Sequence, residues 1–340
     1  MPALRPTTLA ADLAAAALRR LPPETAHDLA VLGLRHGPLP APDLPPFEGL
    51  ERTVAGLRFA HPICLGAGFD KHAEAIKPLL RLGFAGVEIG SVTPLPQPGN
   101  PRPRVFRLPG QRAIINRYGF NSHGMDAVAE RLPERGTADG IVGVSLGLNK
   151  ESRDPAGDYA RGAERLGPRA DYLAVNISSP NTAGLRGLQA PDALEPIVRA
   201  IAGASPRPLF VKLSPDMAPN EEAEALSALA GLPVAGAIVS NTTVARDGLD
   251  AGRSYEAGGL SGPPLAERSR AMLVRARAAL PPAKALIASG GVETGADVAD
   301  RLVLGASLVQ VYTAFIYGGA RTPARMLREL AALRTQAPGR

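Results

Sequence analysis

The feature that most restricts the fold of this sequence is the alternation of strand-like and helix-like segments after residue 61. Short runs rich in Val, Ile, Leu and Ala have the composition of buried strands, and each is followed by a longer run with helical spacing. The predicted strands cover 62–66, 86–90, 141–147, 172–177, 209–213, 236–239, 285–288 and 307–311. The predicted helices cover 72–82, 125–132, 155–166, 191–202, 220–230, 264–280, 295–304 and 323–334. Eight βα units without a Gly-rich dinucleotide fingerprint after the first strand predict a (β/α)8 TIM barrel.

Residues 1–50 do not follow this alternation. An Ala/Leu-rich segment predicts one helix over 8–21, and Pro23 and Gly37 fit the start and the end of a second helix. We therefore expect two domains, a two-helix extension with its linker over 1–50 and the barrel over 51–340. The helices could be ordinary packing elements or an amphipathic pair lying on a membrane. Weak Lys/Arg enrichment favours the first reading on the pattern alone.

Composition narrows the class of ligand without choosing one. The 38 Lys and Arg residues exceed the 32 Asp and Glu residues, for a net charge of +6. This balance suits phosphate-bearing ligands, an anionic membrane surface or nucleic acid. The absence of Trp argues against an aromatic platform for nucleic acid, so no nucleic-acid partner is expected. The one cysteine, Cys64, lies in an apolar run and is interpreted as a small buried hydrophobe.

No stretch of 18 uncharged apolar residues suggests a transmembrane helix, and the N-terminus lacks a cleavable signal pattern. The sequence therefore predicts a cytoplasmic protein. A short hairpin is expected from Thr53, and a second one in the long connection over 91–121. The other long connection, over 241–263, is Gly-rich. Both follow predicted strands, so both should lie on the catalytic face of the barrel.

Polar residues follow most of the predicted strands. Parallel strands of a barrel end on one face, so these residues should lie together. Lys212 falls inside a predicted buried strand and needs an anionic partner there. The loops after the last two strands suit a phosphate. No acidic cluster and no metal-ligand spacing of His residues is seen, so the pattern predicts a planar, phosphate-bearing cofactor and an anionic substrate rather than a metal.

The fourth predicted strand ends at a turn of small polar residues, Ser178 to Thr182. Such a turn can present hydroxyls and amides for chemistry at a strand end. It can equally be a tight βα turn whose Ser and Asn side chains cap a helix. The local pattern leaves both readings open.

Taken together, the strand-end motifs resemble those of the class 2 dihydroorotate dehydrogenases, the membrane-associated, quinone-reducing branch. The motifs are AGFDKH (67–72), EIGSVTPLPQPGNPRPRVFRL (88–108), INRYGFNSHG (115–124), NISSPNTAGLR (176–186), VKLSPD (211–216), SNTT (240–243), GGLSGPPL (258–265), SGG (289–291) and GASLVQVYTAFIYGG (305–319). The resemblance covers nearly the whole chain. It implies oxidation of dihydroorotate to orotate in pyrimidine biosynthesis, with FMN bound and a membrane quinone as acceptor.

The same resemblance implies roles for individual residues. FMN would contact Ala67, Gly68, Phe69, Asp70, Lys71, Ser91, Ser145, Asn176, Lys212, Ser240, Gly262, Gly291, Tyr312 and Thr313. The substrate would contact Lys71, Asn116, Arg117, Tyr118, Gly119, Phe120, Asn176, Asn181, Asn241 and Thr242. His27, Arg107 and Tyr312 would line the quinone path. Ser179 would be the catalytic base, where class 1 members use Cys. Ser145 departs from the family, which usually has Asn there.

The resemblance also changes the expectation for residues 1–50, which would form a quinone-access element in peripheral contact with the cytoplasmic side of the inner membrane. A class 1-type enzyme that passes electrons to fumarate or NAD is the nearest rival. An RNA-acting flavin reductase of the dihydrouridine synthase kind should carry a separate basic domain, and none is left over. A catalytically dead barrel disagrees with the complete set of Lys71, Ser179 and Lys212.

Overall fold

A computed structural model describes residues 13–39, 42–132, 140–182, 184–250 and 252–335. Its strands are β1 Arg52–Val54, β2 Leu57–Phe59, β3 Ile63–Leu65, β4 Gly86–Val92, β5 Val105–Leu108, β6 Ala113–Asn116, β7 Ile141–Leu146, β8 Tyr172–Asn176, β9 Leu209–Leu213, β10 Gly236–Val239, β11 Gly259–Ser261, β12 Ala285–Ser289 and β13 Leu308–Val311. Its helices are α1 (residues 13–18), α2 Pro23–His36, α3 Ile76–Arg81, α4 Met125–Arg131, α5 Pro155–Leu166, α6 Pro191–Ala204, α7 Pro219–Gly231, α8 Ala266–Ala279, α9 Gly295–Val303, α10 Thr313–Gly318 and α11 Thr322–Thr335.

Eight parallel strands close into a barrel in the order β3, β4, β7, β8, β9, β10, β12 and β13, with β13 pairing back to β3. The predicted (β/α)8 barrel is confirmed. The strands form where the apolar runs lie, and β9 and β10 match the predicted bounds at both ends. Burial on both faces explains why these strands read as continuous apolar runs rather than alternating ones.

Apolar side chains fill the barrel interior at the amino ends of its strands. Tyr172 of β8 and Phe210 of β9 meet edge to face, with ring centroids 5.5 Å apart. The antiparallel hairpin β1–β2 packs against this cluster through Val54 and Phe59, which confirms the hairpin predicted at Thr53. This end of the barrel is therefore closed, and the open space lies at the carboxyl ends of the strands.

The two long connections combine above that open end. The hairpin predicted within 91–121 is confirmed as β5–β6, and β11 from the second connection pairs antiparallel with β6. The sequence did not predict β11, because a three-residue strand inside a Gly-rich connection is too short to show a strand period. This three-stranded sheet stands as a wall over the carboxyl ends of the barrel strands.

Two predicted helices differ from the observed ones by more than two residues at one end. The first helix was expected over 8–21; residues 8–12 lie outside the described residues, and 13–18 are helical. The helix expected from residue 72 begins at Ile76, because the side chain of Asp70 accepts hydrogen bonds from the preceding loop. Within the described residues, no helix combines the length and the apolar character needed to cross a bilayer.

We predict that Gly236→Ala strongly destabilises the barrel. A Cβ at this position would lie 1.8 Å from the carbonyl oxygen of Ala285 on the neighbouring strand, and paired backbones cannot move apart without breaking the ladder. We expect a loss of at least ~3 kcal/mol or no soluble protein. Gly203→Ala, in α6 with no heavy atom within 4 Å of the new Cβ, should change stability by less than about 1 kcal/mol. Urea unfolding measures both; equal stability of the two variants would contradict the prediction.

Candidate active site

A cleft at the carboxyl ends of the barrel strands collects most of the predicted site residues. It encloses about 1420 Å³ of empty space, including the solvent at its mouth. Of the predicted residues, its lining includes Ala67, Gly68, Lys71, Ser91, Asn116, Tyr118, Gly119, Phe120, Asn176, Ser179, Asn181, Lys212, Ser240, Asn241, Thr242, Gly262, Gly291, Tyr312 and Thr313, with His27 and Arg107 at one side. Residues from distant parts of the chain therefore share one cavity of the size that holds a cofactor and a small substrate.

The carboxamide of Asn176, at the end of β8, links neighbouring strand exits. Its Nδ2 donates to Ser91 Oγ at 2.9 Å, and its Oδ1 accepts from Asn241 Nδ2 at 3.3 Å. The backbone carbonyl of Asn176 also accepts from the buried Tyr159 hydroxyl at 2.9 Å. These contacts fix the amide orientation, so its donor and acceptor face the cleft in a defined way.

Ser179 lies in the turn that follows β8, and it is buried at the cleft. Its hydroxyl accepts from the backbone N–H of Asn181 at 3.3 Å, and Asn181 Nδ2 donates to Asn116 Oδ1 at 3.3 Å. The nearby Thr182 hydroxyl is buried without a hydrogen-bond partner in the described structure. An unpartnered buried hydroxyl suits a bound water or ligand group. Ser179 thus points to the cleft with polar groups on both sides.

Lys71 brings a positive charge to the same cleft. Its ammonium lies 4.1 Å from the ring centroid of Tyr118, a cation–π contact. Burial and the charge of Arg104 lower the pKa of Lys71 to about 8, against the opposing charges of Asp28, Glu24 and Asp70. A cation held in a buried site at reduced pKa favours an anionic ligand, because the ligand's charge replaces the lost hydration.

Lys212 of β9 is the second buried cation, and the anionic group that acts on it is Glu88 of β4. Burial lowers the pKa of Lys212, and the Glu88 carboxylate opposes this effect. Glu88 is fully buried inside the barrel; its Oε2 accepts from Tyr172 at 3.0 Å and from Gln310 Nε2 at 2.8 Å. The sequence predicted that Lys212 needs an anionic partner but did not identify Glu88. Glu88 lies inside a predicted strand, and the sequence does not show that its side chain points into the barrel.

Four predicted contacts are not among the cleft-lining residues. Phe69 turns away and packs against His27 and Phe315, with centroids 5.2 and 5.0 Å apart. The Asp70 carboxylate accepts from the backbone N–H groups of Glu74 and Ala75, both at 2.8 Å. Both residues follow Gly68 in the motif, and the sequence alone does not show which way side chains in such a loop point.

Arg117 and Ser145 are the other two. The Arg117 guanidinium pairs with Glu256 at 2.8 Å on the outer side of the wall. Ser145, fully buried in β7, lies behind Ser91, whose Oγ is 2.9 Å from its own. A serine at this position therefore reaches the cleft through the Ser91 hydroxyl, where a longer amide would extend further.

Asp216, in the loop after β9, organises the turn around Ser179 and was not singled out from the sequence. It pairs with Arg186 at 2.8 Å, accepts from the N–H of Val244 at 2.8 Å, and is hydrogen-bonded by the Thr243 hydroxyl. The Arg186 and Thr243 segments follow β8 and β10. One carboxylate therefore holds together the loops on either side of its own, and its place in the motif VKLSPD was the available signal.

An apolar tunnel adjoins the cleft, between helices α1 and α2 and the barrel. Its lining is mainly Ala, Leu, Gly and Phe, and it includes His27 and Arg107, which also line the cleft. The Arg107 guanidinium donates to the carbonyls of Arg19 and Leu21, the latter at 2.8 Å. Tyr312, the third residue predicted on this path, lines the cleft but not the tunnel. Within the described chain no group of three or more metal-binding side chains is found.

Comparison with known proteins gives the family. The family model described as dihydroorotate dehydrogenase matches residues 49–333. This chain belongs to the dihydroorotate dehydrogenase family. It is 46% identical over 334 residues to the mitochondrial dihydroorotate dehydrogenase (quinone) of Mus musculus, covering 93% of this chain and 84% of that one. The corresponding values for the Rhizobium etli dihydroorotate dehydrogenase (quinone) are 44% over 321 residues, 92% and 88%.

Solved structures agree. The DHODH of Eimeria tenella in complex with ferulenol is 38% identical and superimposes with a TM-score of 0.87, covering 92% of each chain. The ligand-free form of the same protein gives a TM-score of 0.86 over 93% of this chain and 96% of that one. At this identity and coverage, the relationship extends beyond the barrel fold to the family.

The position of Asp70 leads to a stability prediction. Asp70→Ala removes the acceptor of two backbone N–H groups, and leaving them unpaired should destabilise the protein by about 2 kcal/mol. Asp70→Asn keeps one acceptor oxygen and should lose less. Urea unfolding of the two variants measures the difference. Wild-type stability of Asp70→Ala would contradict the capping role and return Asp70 to the predicted cofactor contacts.

Proposed function

We propose that this protein oxidises (S)-dihydroorotate to orotate in pyrimidine biosynthesis, with bound FMN and a membrane quinone as electron acceptor. The observation that carries the proposal is the arrangement of Ser179 between Asn176 and Asn181 in one cleft, next to an apolar tunnel. Family membership supports the same reaction, since relatives bear the printed name dihydroorotate dehydrogenase (quinone).

FMN fits the donor set of the cleft. The ammonium of Lys212 and the hydroxyls of Ser91 and Ser240 line its floor, and the glycines at 290 and 291 have positive φ and line the end near Thr313. Glycines there leave room for backbone N–H groups to approach a phosphate. Bound FMN would supply the two-electron chemistry that amino-acid side chains lack.

The residues of the cleft divide the remaining work. Lys71 would hold the substrate carboxylate or a ring oxygen, and the amides of Asn116, Asn176, Asn181 and Asn241 would match the alternating C=O and N–H groups of the substrate. A donor/acceptor set of this kind discriminates well, because a mismatched ligand leaves buried groups unpaired. Ser179 Oγ would take the proton from C5, and the unpartnered Thr182 hydroxyl suits a route for passing it on.

Residues 1–50 form, in this proposal, the quinone-access extension of a barrel that spans 51–340. Helices α1 and α2 expose large apolar side chains; Leu13 is 63% exposed, Leu29 44% and Leu32 51%. Exposed apolar residues on short helices suit peripheral contact with a bilayer. The proposal includes peripheral association with the cytoplasmic side of the inner membrane, as the family resemblance implies.

Ser179→Ala should slow the bleaching of the flavin by dihydroorotate by at least ~100-fold, the usual range for loss of a general base. Rapid mixing under anaerobic conditions measures the rate. Ser227→Ala, on the exposed face of α7, serves as the matched control and should behave as wild type. An unchanged rate in Ser179→Ala would exclude the base role.

Deletion of residues 1–40 should leave flavin reduction by dihydroorotate largely intact, because all the proposed flavin and substrate contacts lie in the barrel. Turnover with a quinone should collapse, since the tunnel loses α1 and α2. Paired assays with dihydroorotate alone and with quinone measure the two effects in one preparation. Quinone turnover that survives the deletion would refute the access role of the extension.

A further inference from the structure

Helix α2 separates two cavities of opposite character. Ala26, Leu29, Ala30 and Gly33 line the apolar tunnel on one side. On the other side, Glu24, Asp28 and Arg35 line a second cavity, here called the polar chamber. The chamber encloses about 1550 Å³ of empty space, including solvent at its mouth. One helix thus has an apolar face toward the tunnel and a charged face toward water.

The lining of the polar chamber offers many partners for water. Its far wall includes Asp70, Lys71, His72, Gln97, Asn100, Arg102, Arg104, Asn121 and His123. The rings of His72 and His123 stack with centroids 3.6 Å apart. Two atoms on this wall, His72 Nδ1 and Asn121 Oδ1, are buried without a hydrogen-bond partner in the described structure. Such atoms in a roomy polar cavity are ordinarily satisfied by ordered water.

The tunnel, in contrast, offers few groups that can give up a proton. Among its lining residues in the described chain, the ionisable ones are Arg19, His27 and Arg107. Arginine keeps its proton at any ordinary pH. His27 is therefore the group of this lining that can donate a proton to a molecule in the tunnel.

His27 lines the tunnel, the chamber and the catalytic cleft at once. Its ring stands edge-on to Phe69 at 5.2 Å, and Phe69 lines both the tunnel and the chamber. Burial, with the charges of Lys71 and His72, holds the pKa of His27 well below its ordinary value, against a hydrogen bond to the Phe69 backbone. A neutral imidazole has one N–H and one acceptor nitrogen, which is the arrangement a proton relay needs.

We propose that the polar chamber is a water-filled proton intake, and that His27 relays a proton from it to the quinone in the tunnel. This inference rests on the proposed function. A quinone becomes a quinol by gaining two electrons and two protons; a hydride supplies both electrons and one proton. The second proton leaves the N–H of His27 for a quinone oxygen, while the other ring nitrogen takes a proton from chamber water, which regains it from the solvent at the chamber mouth.

The test compares two double variants of the full-length holoenzyme. The dry variant, Asp28→Phe with His72→Phe, replaces two polar side chains of the chamber lining with apolar rings and keeps an aromatic ring stacked on His123. The wet variant, Asp28→Asn with His72→Gln, keeps the wall polar without the charges. The flavin is reduced with dithionite and then mixed with quinone. We expect oxidation by quinone to slow roughly tenfold in the dry variant and about 100-fold in His27→Gln, as for loss of a general acid, with wild-type rates in the wet variant.

A second readout needs neither substrate nor flavin turnover. Hydrogen–deuterium exchange at the imidazole C2–H of His27, followed by mass spectrometry, should slow several-fold in the dry variant and stay at the wild-type rate in the wet variant. Equal quinone rates and equal exchange in wild type and dry variant would overturn the proposal. Equal losses in the dry and wet variants would also overturn it, because the loss would then follow packing rather than water.

Dithionite separates this proposal from the proposed function. If dihydroorotate fails to bleach the wild-type flavin, the proposed substrate is wrong, yet the reoxidation of dithionite-reduced flavin by quinone still tests the relay. If dihydroorotate bleaches all variants alike and only reoxidation slows in the dry variant, both proposals stand.

Discussion

The carboxamide of Asn176 is the contact on which the cleft depends. Its two ends reach Ser91 of β4 and Asn241 after β10, and the backbone carbonyl of Asn176 is tied to α5 through Tyr159. A closed barrel brings the strand ends to one rim, but closure alone does not set the angle of each side chain. A satisfied network across three elements does, because every change of orientation would leave a buried donor or acceptor unpaired.

Charge is the second constraint. Lys71 and Lys212 are both buried, and burial lowers the pKa of each. Glu88 opposes the effect at Lys212 from inside the barrel, while Asp28, Glu24 and Asp70 oppose it at Lys71. These acids lie behind or beside the cleft rather than in its open space. The cleft itself therefore keeps a positive character that an anionic ligand neutralises.

The sequence predicted the structure well where apolar residues recur with the period of a strand or a helix, or where a family motif is complete. The apolar runs of the eight strands, the hairpin β5–β6 and the family motifs gave the barrel and the position of the cleft. It was uninformative about side-chain direction within a motif. Phe69 and Asp70 lie beside Gly68 in the chain yet face away from the cleft, and Ser145 lies behind Ser91.

Features that form by contact between distant segments also could not be predicted from the sequence. β11 forms a strand because it pairs with β6. The role of Glu88 depends on Tyr172 and Gln310, which come from strands far along the chain. Likewise, Pro23 and Gly37 predicted helix α2, but the chamber on its charged face is formed by residues up to 99 positions away, since Glu24 and His123 both line it. Tertiary pairing supplies this information.

The position of α2 between two cavities also sets how its sequence can vary. Ala26 and Gly33 line the tunnel, where a larger side chain would narrow it and a polar one would disturb its apolar lining. Only small apolar residues fit at these positions. Asp28 and Arg35 line the polar chamber, where the charge of Asp28 acts on Lys71 and Arg35 pairs with Glu74 at 2.9 Å, so charge rather than size is restricted there. His27 lines both cavities, so its size and its polarity are both restricted. Across homologues of this chain, helix α2 should therefore show two patterns of substitution on opposite faces, about half a turn apart.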